Sequence, residues 1–198
     1  MNTPTHALVA LACLSRRDAK IRNRWVLAGA LLPDAVIFLW APWQHWIVGR
    51  DWSAIWNQHY FEAPMQTGIA LFNSVPIFAL LLIFGLWQRH RYWGLYLAVF
   101  AGAALLHIAL DAPVHGHDAY RHFWPLSDWR FYSPVSYWDI NLHARWVSLV
   151  EAAIVMACTA ILWRRFKALW TRLVLSVLLG LTLLGALLQQ LAPLFASG

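Results

Sequence analysis

The sequence predicts an all-α, polytopic membrane protein, and three observations carry that expectation. Of its 198 residues, 61% are hydrophobic and 12% are charged. Soluble domains carry about 25% charged residues. The apolar residues gather in runs near the length that crosses a bilayer, about 20 residues. The basic residues gather between those runs, in every second connection. A disordered chain, a coiled coil and an ordinary soluble globule are excluded. The length suits one integral-membrane domain over 1–198, a bundle of five or six membrane segments.

The first apolar stretch, about 4–15, is short for a span. It reads as a half-helix or as one continuing into 16–22, and no removable signal peptide precedes it because its charges follow the apolar run. The second stretch runs from Trp25 to about Trp46 and contains Gly29 and Leu31-Leu32-Pro33-Asp34. The third is about 67–87, the fourth about 93–112, the fifth about 146–163 and the sixth about 173–192. Polar segments at about 47–66 and 113–145 interrupt them. Cys13 and Cys158 lie in apolar runs and read as buried free thiols, with no CxxC spacing for a structural zinc.

Arg16, Arg17, Lys20, Arg22 and Arg24 lie between stretches one and two, and Arg89 and Arg91 between three and four. Arg164, Arg165, Lys167 and Arg172 lie between five and six, so eleven of the fifteen basic residues occupy alternate loops. The positive-inside rule places these loops in the cytoplasm and the segments 47–66 and 113–145 outside. The net charge of +6 thus reads as loop anchoring, and no nucleic-acid partner is expected. Eight of the nine histidines fall on the outward side; only His90 lies in a basic loop. Hydropathy does not require that sidedness, which points to one outward-facing polar site in a His/Asp-rich loop.

The densest constellation is His107-Ile-Ala-Leu-Asp111-Ala-Pro-Val-His115-Gly-His117-Asp118, with His122 beyond it. His107 and Asp111 share a helix face. A carboxylate within a span costs roughly 2.5–3.5 kcal/mol and so needs a partner. Imidazole with carboxylate suits Zn or another divalent first-row metal, while the same pair can also be a hydrogen bond that only holds the bundle. Asp34 follows Pro33, which weakens the local helix ladder and places the carboxylate near a polar cavity. His6 begins the first stretch, where a histidine is more often an interfacial anchor than a ligand. Glu151, about two turns into the fifth stretch, reads equally as a partner for Arg145 or a histidine and as a proton acceptor. Arg121 and Arg130 either bind a phosphate or carboxylate bidentately or pair with Asp118, Asp128 or Asp139 to fold the loop. His59 and Glu62 are weaker candidates on the other outer loop. No GxSxG, P-loop or GxGxxG occurs, which removes support for serine-hydrolase and nucleotide-binding readings.

Thr5-His6, Gly29 with Leu32-Pro33-Asp34, and His107 with Asp111 together resemble a family of small bacterial inner-membrane proteins. These are the membrane-bound metal-dependent hydrolases, of the LexA-regulated inner-membrane hydrolase type. The family's Pro-Asp-x-Asp becomes Pro33-Asp34-Ala35-Val36 here, so its second acidic position is missing. The resemblance implies that His6, Asp34, His107 and Asp111 are metal ligands, which raises His6 above its reading from position alone. His115, His117 or His122 would complete or flank the site, with Glu151 or a free histidine such as His122 as general base. The expected function is hydrolysis of a lipid-linked or amphiphilic ester or phosphoester by a divalent metal, Zn above others. Membrane lipids are its surroundings, and the expected location is a bacterial inner membrane. The alternative is a non-enzymatic cation- or proton-coupled transporter or metal-handling protein, against which the chain shows no internal repeat.

Overall fold

In a computed structural model that describes residues 1–196, every regular element is helical. The helices are α1 (Thr3–Leu14), α2 (Lys20–Trp46), α3 (Trp52–Asn57), α4 (Ala63–Phe72), α5 (Val75–Trp87), α6 (Tyr92–Asp111), α7 (Ala144–Arg165) and α8 (Leu169–Ala196). Five spans are long and apolar enough to cross a membrane: α2, the α4–α5 pair, α6, α7 and α8. The chain is a transmembrane helical bundle. The loops between α1 and α2, α5 and α6, and α7 and α8 lie at one end, called the basic end below. The connections 47–62 and 112–143 lie at the other, the polar end.

The short first stretch resolves as a half-helix. Twelve residues reach about 18 Å, well below the roughly 30 Å hydrocarbon thickness. α1 nevertheless sits inside the bundle, against α2, α6 and α7. Leu8, Val9 and Ala12 pack on Val155, Cys158 and Leu162 of α7 and Leu175 of α8. Ala10 packs with Val26, Ala30, Val99 and Ala103 between α2 and α6.

A helix this short survives at depth because α7 holds both of its ends. At its start, Glu151 accepts hydrogen bonds from the Asn2 amide (2.8 Å), the Asn2 side chain (2.9 Å) and the Thr5 hydroxyl. At its finish, the Arg165 guanidinium donates to the carbonyls of Leu11, Ala12 and Ser15 and to the Ser15 hydroxyl, at 2.8–3.0 Å. A carboxylate at the N-terminus and a guanidinium at the C-terminus both complement the helix dipole.

The third span is not one helix. It breaks at Asn73-Ser74, both fully enclosed. The Ser74 hydroxyl caps α5 by accepting from the Ile77 amide and donates to the Trp124 carbonyl. The Val75 amide donates to the His122 carbonyl (2.8 Å), and the Asn73 side chain donates to the carbonyls of Pro33 and Ile69. Irregular backbone at membrane depth is tolerated where protein satisfies it, and here the segment 122–124 dips into the break to do so.

α2 and α6 approach closely at Gly29. A Cβ there would stand 2.0 Å from the Phe100 carbonyl oxygen, so only glycine permits the contact. That contact sets α2 and α6 side by side, with Asp34 of one facing His107 of the other.

Candidate metal centre

Four elements deliver the polar side chains that meet beneath the polar end. α6 supplies His107 and, one turn later at its last residue, Asp111. α2 supplies Asp34, α1 supplies His6, and the turn after α6 supplies His115. Pro113 lies in the short 3-10 turn Ala112–Val114 that ends α6 and swings His115 back over Asp111.

Asp111 is the hub. One carboxylate oxygen lies 3.0 Å from His6 Nε2, and the other lies 3.2 Å from His107 Nε2 and 3.5 Å from His115 Nε2. His107 Nε2 also lies 3.5 Å from an Asp34 oxygen. The His6 and His107 rings stack, with centroids 3.7 Å apart. His6, His107 and Asp111 are each 1% exposed, so water does not complete their valences. Each offers a ligand atom within 4.8 Å of the others, a grouping that can hold a metal ion. The second Asp34 oxygen accepts from the Thr3 hydroxyl, and the Met1 ammonium lies 2.5 Å from Asp111.

The unmet valences suit a cation. His6 Nδ1, His6 Nε2 and His107 Nε2 are buried and make no hydrogen bond, although the two Nε2 atoms lie close to the Asp111 carboxylate. A buried polar atom without a partner is costly. His107 donates from Nδ1 to the Ala30 carbonyl at 2.7 Å, which leaves the Nε2 lone pair aimed at Asp111 and Asp34. A metal-binding histidine is oriented in this way, through a backbone carbonyl or carboxylate on its other nitrogen. His115 follows the same pattern: its Nδ1 lies 2.9 Å from Asp118, whose same oxygen accepts from the Trp138 indole at 3.1 Å. Burial disfavours the charged form of His115, but Asp111 and Asp118 outweigh it and hold its pKa above the ordinary value. Burial likewise opposes ionisation of Asp118, and His115 outweighs it and keeps that carboxyl below its usual range.

A cavity of about 560 Å³ opens on this cluster. Asp34, Asp111 and His115 form its floor. Tyr60, Tyr120, Tyr137 and Trp138 form much of its wall, with Ile37 and Phe38 of α2 on one side. Phe38 is 61% exposed on the outer surface of the bundle, so the cavity is continuous with the flank of α2.

The remaining sequence candidates fall elsewhere. His117 lies on the rim of the cavity, 5.0 Å from the Trp138 ring, and touches neither Asp34 nor Asp111. His122 is buried behind Tyr120, with Nδ1 3.2 Å from the Asn73 carbonyl, and burial lowers its pKa. It helps seal the break in the third span and does not line the cavity. Glu151 is occupied at both oxygens by the start of α1, a positioning role in place of the general base considered above. Arg121 pairs with Asp128 (2.8 Å) and Thr67, and Arg130 donates to the Ala119 carbonyl and Gln66. Both arginines fold the outer loop and lie outside the cavity lining. His59 pairs with Glu62 at 2.6 Å, and neither lines the cavity.

Sequence reasoning offered Asp118 as a partner for an arginine, where it holds His115, and did not reach the Thr3–Asp34 contact or the Ala30 carbonyl. Asp118 carried a signal, standing three residues after His115 in the same turn. The Ala30 carbonyl carried none, since a backbone acceptor leaves no trace in residue type. Comparison with protein-family models, with curated proteins and with solved structures yields no match.

Proposed function

We propose that this chain is a membrane-embedded hydrolase in which His6, His107 and Asp111 hold a divalent cation, with Asp34 and His115 beside it. The observation that carries the reading is the pair of buried, unpartnered imidazole nitrogens, His6 Nε2 and His107 Nε2, converging on Asp111, which lines the cavity. Two imidazoles and a carboxylate are the donor set of catalytic Zn sites that keep an open position. A bound divalent ion supplies a water of lowered pKa and polarises a carbonyl or phosphoryl oxygen.

The chain's own residues do the rest. The Ala30 carbonyl and Asp118 hold His107 and His115 in the tautomer that presents Nε2 inward. Thr3 orients Asp34. The tyrosine and tryptophan wall excludes bulk water and offers rings with polar tips to a substrate that is apolar at one end. The open side at Phe38 suits a lipid-linked or amphiphilic ester or phosphoester arriving from the bilayer. The resemblance to membrane-bound metal-dependent hydrolases leads to the same substrate chemistry. By the distribution of basic loops, the cavity faces outward from a bacterial inner membrane.

Transport is less well supported. Between His107 and the basic end, Ala10, Val26, Ala30, Val99 and Ala103 pack as an apolar layer between α1, α2 and α6, which does not favour an ion path there. The test is turnover of p-nitrophenyl esters and phosphodiesters bearing an acyl chain, in detergent, after chelation and again after reloading with Zn²⁺. Hydrolysis is expected only in the loaded protein and is lost in the double variant His107→Ala/Asp111→Ala. Absence of any metal-dependent turnover on either bond type contradicts the reading.

A further inference from the structure

At the basic end, a second cavity of about 630 Å³ lies between the α1–α2 turn and the start of α6. Arg16, Arg17, Lys20 and Arg22 line it, with Leu95 and Tyr96 of α6 as an apolar wall. Four other basic residues of the bundle are used internally. Arg165 caps α1, Arg121 and Arg130 fold the outer loop, and Arg172 lies 5.0 Å over the Trp163 ring. None of the four cations in this cavity makes a side-chain hydrogen bond or an ion pair among the described residues, and the Arg22 Nε is buried without a partner. Asp18 also lines the cavity, so one carboxylate faces four cations and pairs with none of them.

The loop that carries these cations is fixed. Asn23 accepts from the Arg16 amide (3.0 Å) and donates to the Arg16 carbonyl (2.7 Å), closing the turn from Arg16 to α2. Four like charges held together on a braced turn repel one another unless an anion lies among them. Tyr96 stands four residues after the start of the α6 span, which sets this cavity at the boundary between hydrocarbon and head groups.

We propose that this cavity binds the phosphate of an anionic glycerophospholipid. Guanidinium groups meet phosphate oxygens in forked pairs, and the first methylenes of the acyl chains lie along Leu95 and Tyr96. Positive charge placed only to orient loops needs no such cavity. Arg89 and Arg91, in the neighbouring basic loop, lie outside its lining. Basic pockets between helices on the cytoplasmic side recognise anionic head groups by the same physics.

The test uses the full chain purified in dodecyl maltoside. Bound lipid is counted by native mass spectrometry, and Tm is followed on adding phosphatidylglycerol, phosphatidylcholine or inorganic phosphate. Phosphatidylglycerol alone is expected to remain bound and to raise Tm. In Arg16→Gln/Arg17→Gln/Arg22→Gln its affinity should fall about a hundredfold, from roughly fivefold per cation lost, while Arg89→Gln/Arg91→Gln keeps wild-type binding. If the triple variant does not fold, the single variant Arg17→Gln is read for the fivefold loss instead. Equal binding of phosphatidylcholine, equal loss in the Arg89/Arg91 control, or a Tm rise with inorganic phosphate alone overturns the proposal.

Discussion

α1 and α8 are opposites. α1 has 12 residues, cannot cross a bilayer, and is enclosed by three other helices. α8 has 28 residues and could cross with room to spare, yet only 11% of its apolar stretch is buried, against 44% for α6. α8 leans on α7, and most of its leucines face outward. Length and hydropathy therefore measure contact with lipid. They say nothing about which helix reaches the His/Asp cluster, and here a 12-residue helix brings His6 to it. The cost of burying a half-helix is met by α7, which places a carboxylate at one end and a guanidinium at the other.

Substitutions on the two helices and their supports sharpen that contrast. Glu151→Ala removes the acceptor for three donors at the start of α1 and is expected to cost about 3 kcal/mol in denaturant titrations. The same variant should also lose metal, because His6 depends on the seat of α1. Arg165→Ala opens the other end and should cost about 2 kcal/mol, with Arg165→Lys recovering part of it. A matched pair of glycine substitutions separates core from periphery. Gly29→Ala drives a Cβ into the Phe100 backbone and should destabilise by about 2 kcal/mol. Gly185→Ala on α8 meets no atom within 4 Å and should stabilise by about 0.5–1 kcal/mol, since alanine is the better helix former. Equal effects at Gly29 and Gly185, or a silent Glu151→Ala, would break the contrast.

Much of the layout was legible because it rests on local pattern. The α2, α6 and α7 boundaries follow from apolar runs ended by charge, and the His107–Asp111 pair from helical spacing alone. The break at Asn73-Ser74 was missed, although Ser74 two residues before Pro76 is a helix-start signal. Its apolar flanks hid it, and its stability comes from residues 122–124, far away in sequence. Asp34 was legible as an unpaired carboxylate within a span. His6 was not legible from position, since a histidine near an interface has many ordinary uses; its role depends on α1 folding back into the bundle. Glu151 showed the reverse failure. Its place in a span marked it as important, but residue type does not say whether a buried carboxylate serves the chemistry or seats the helix beside it.

The most direct test is the divalent metal content of the purified chain, read by elemental mass spectrometry for the wild type and His6→Ala, with Leu184→Ala on α8 as the peripheral control. The wild type and Leu184→Ala are expected to carry about one ion per chain, with Zn the metal retained, and His6→Ala to carry almost none. A wild type without metal, or a His6→Ala protein that keeps its full complement, would contradict the account.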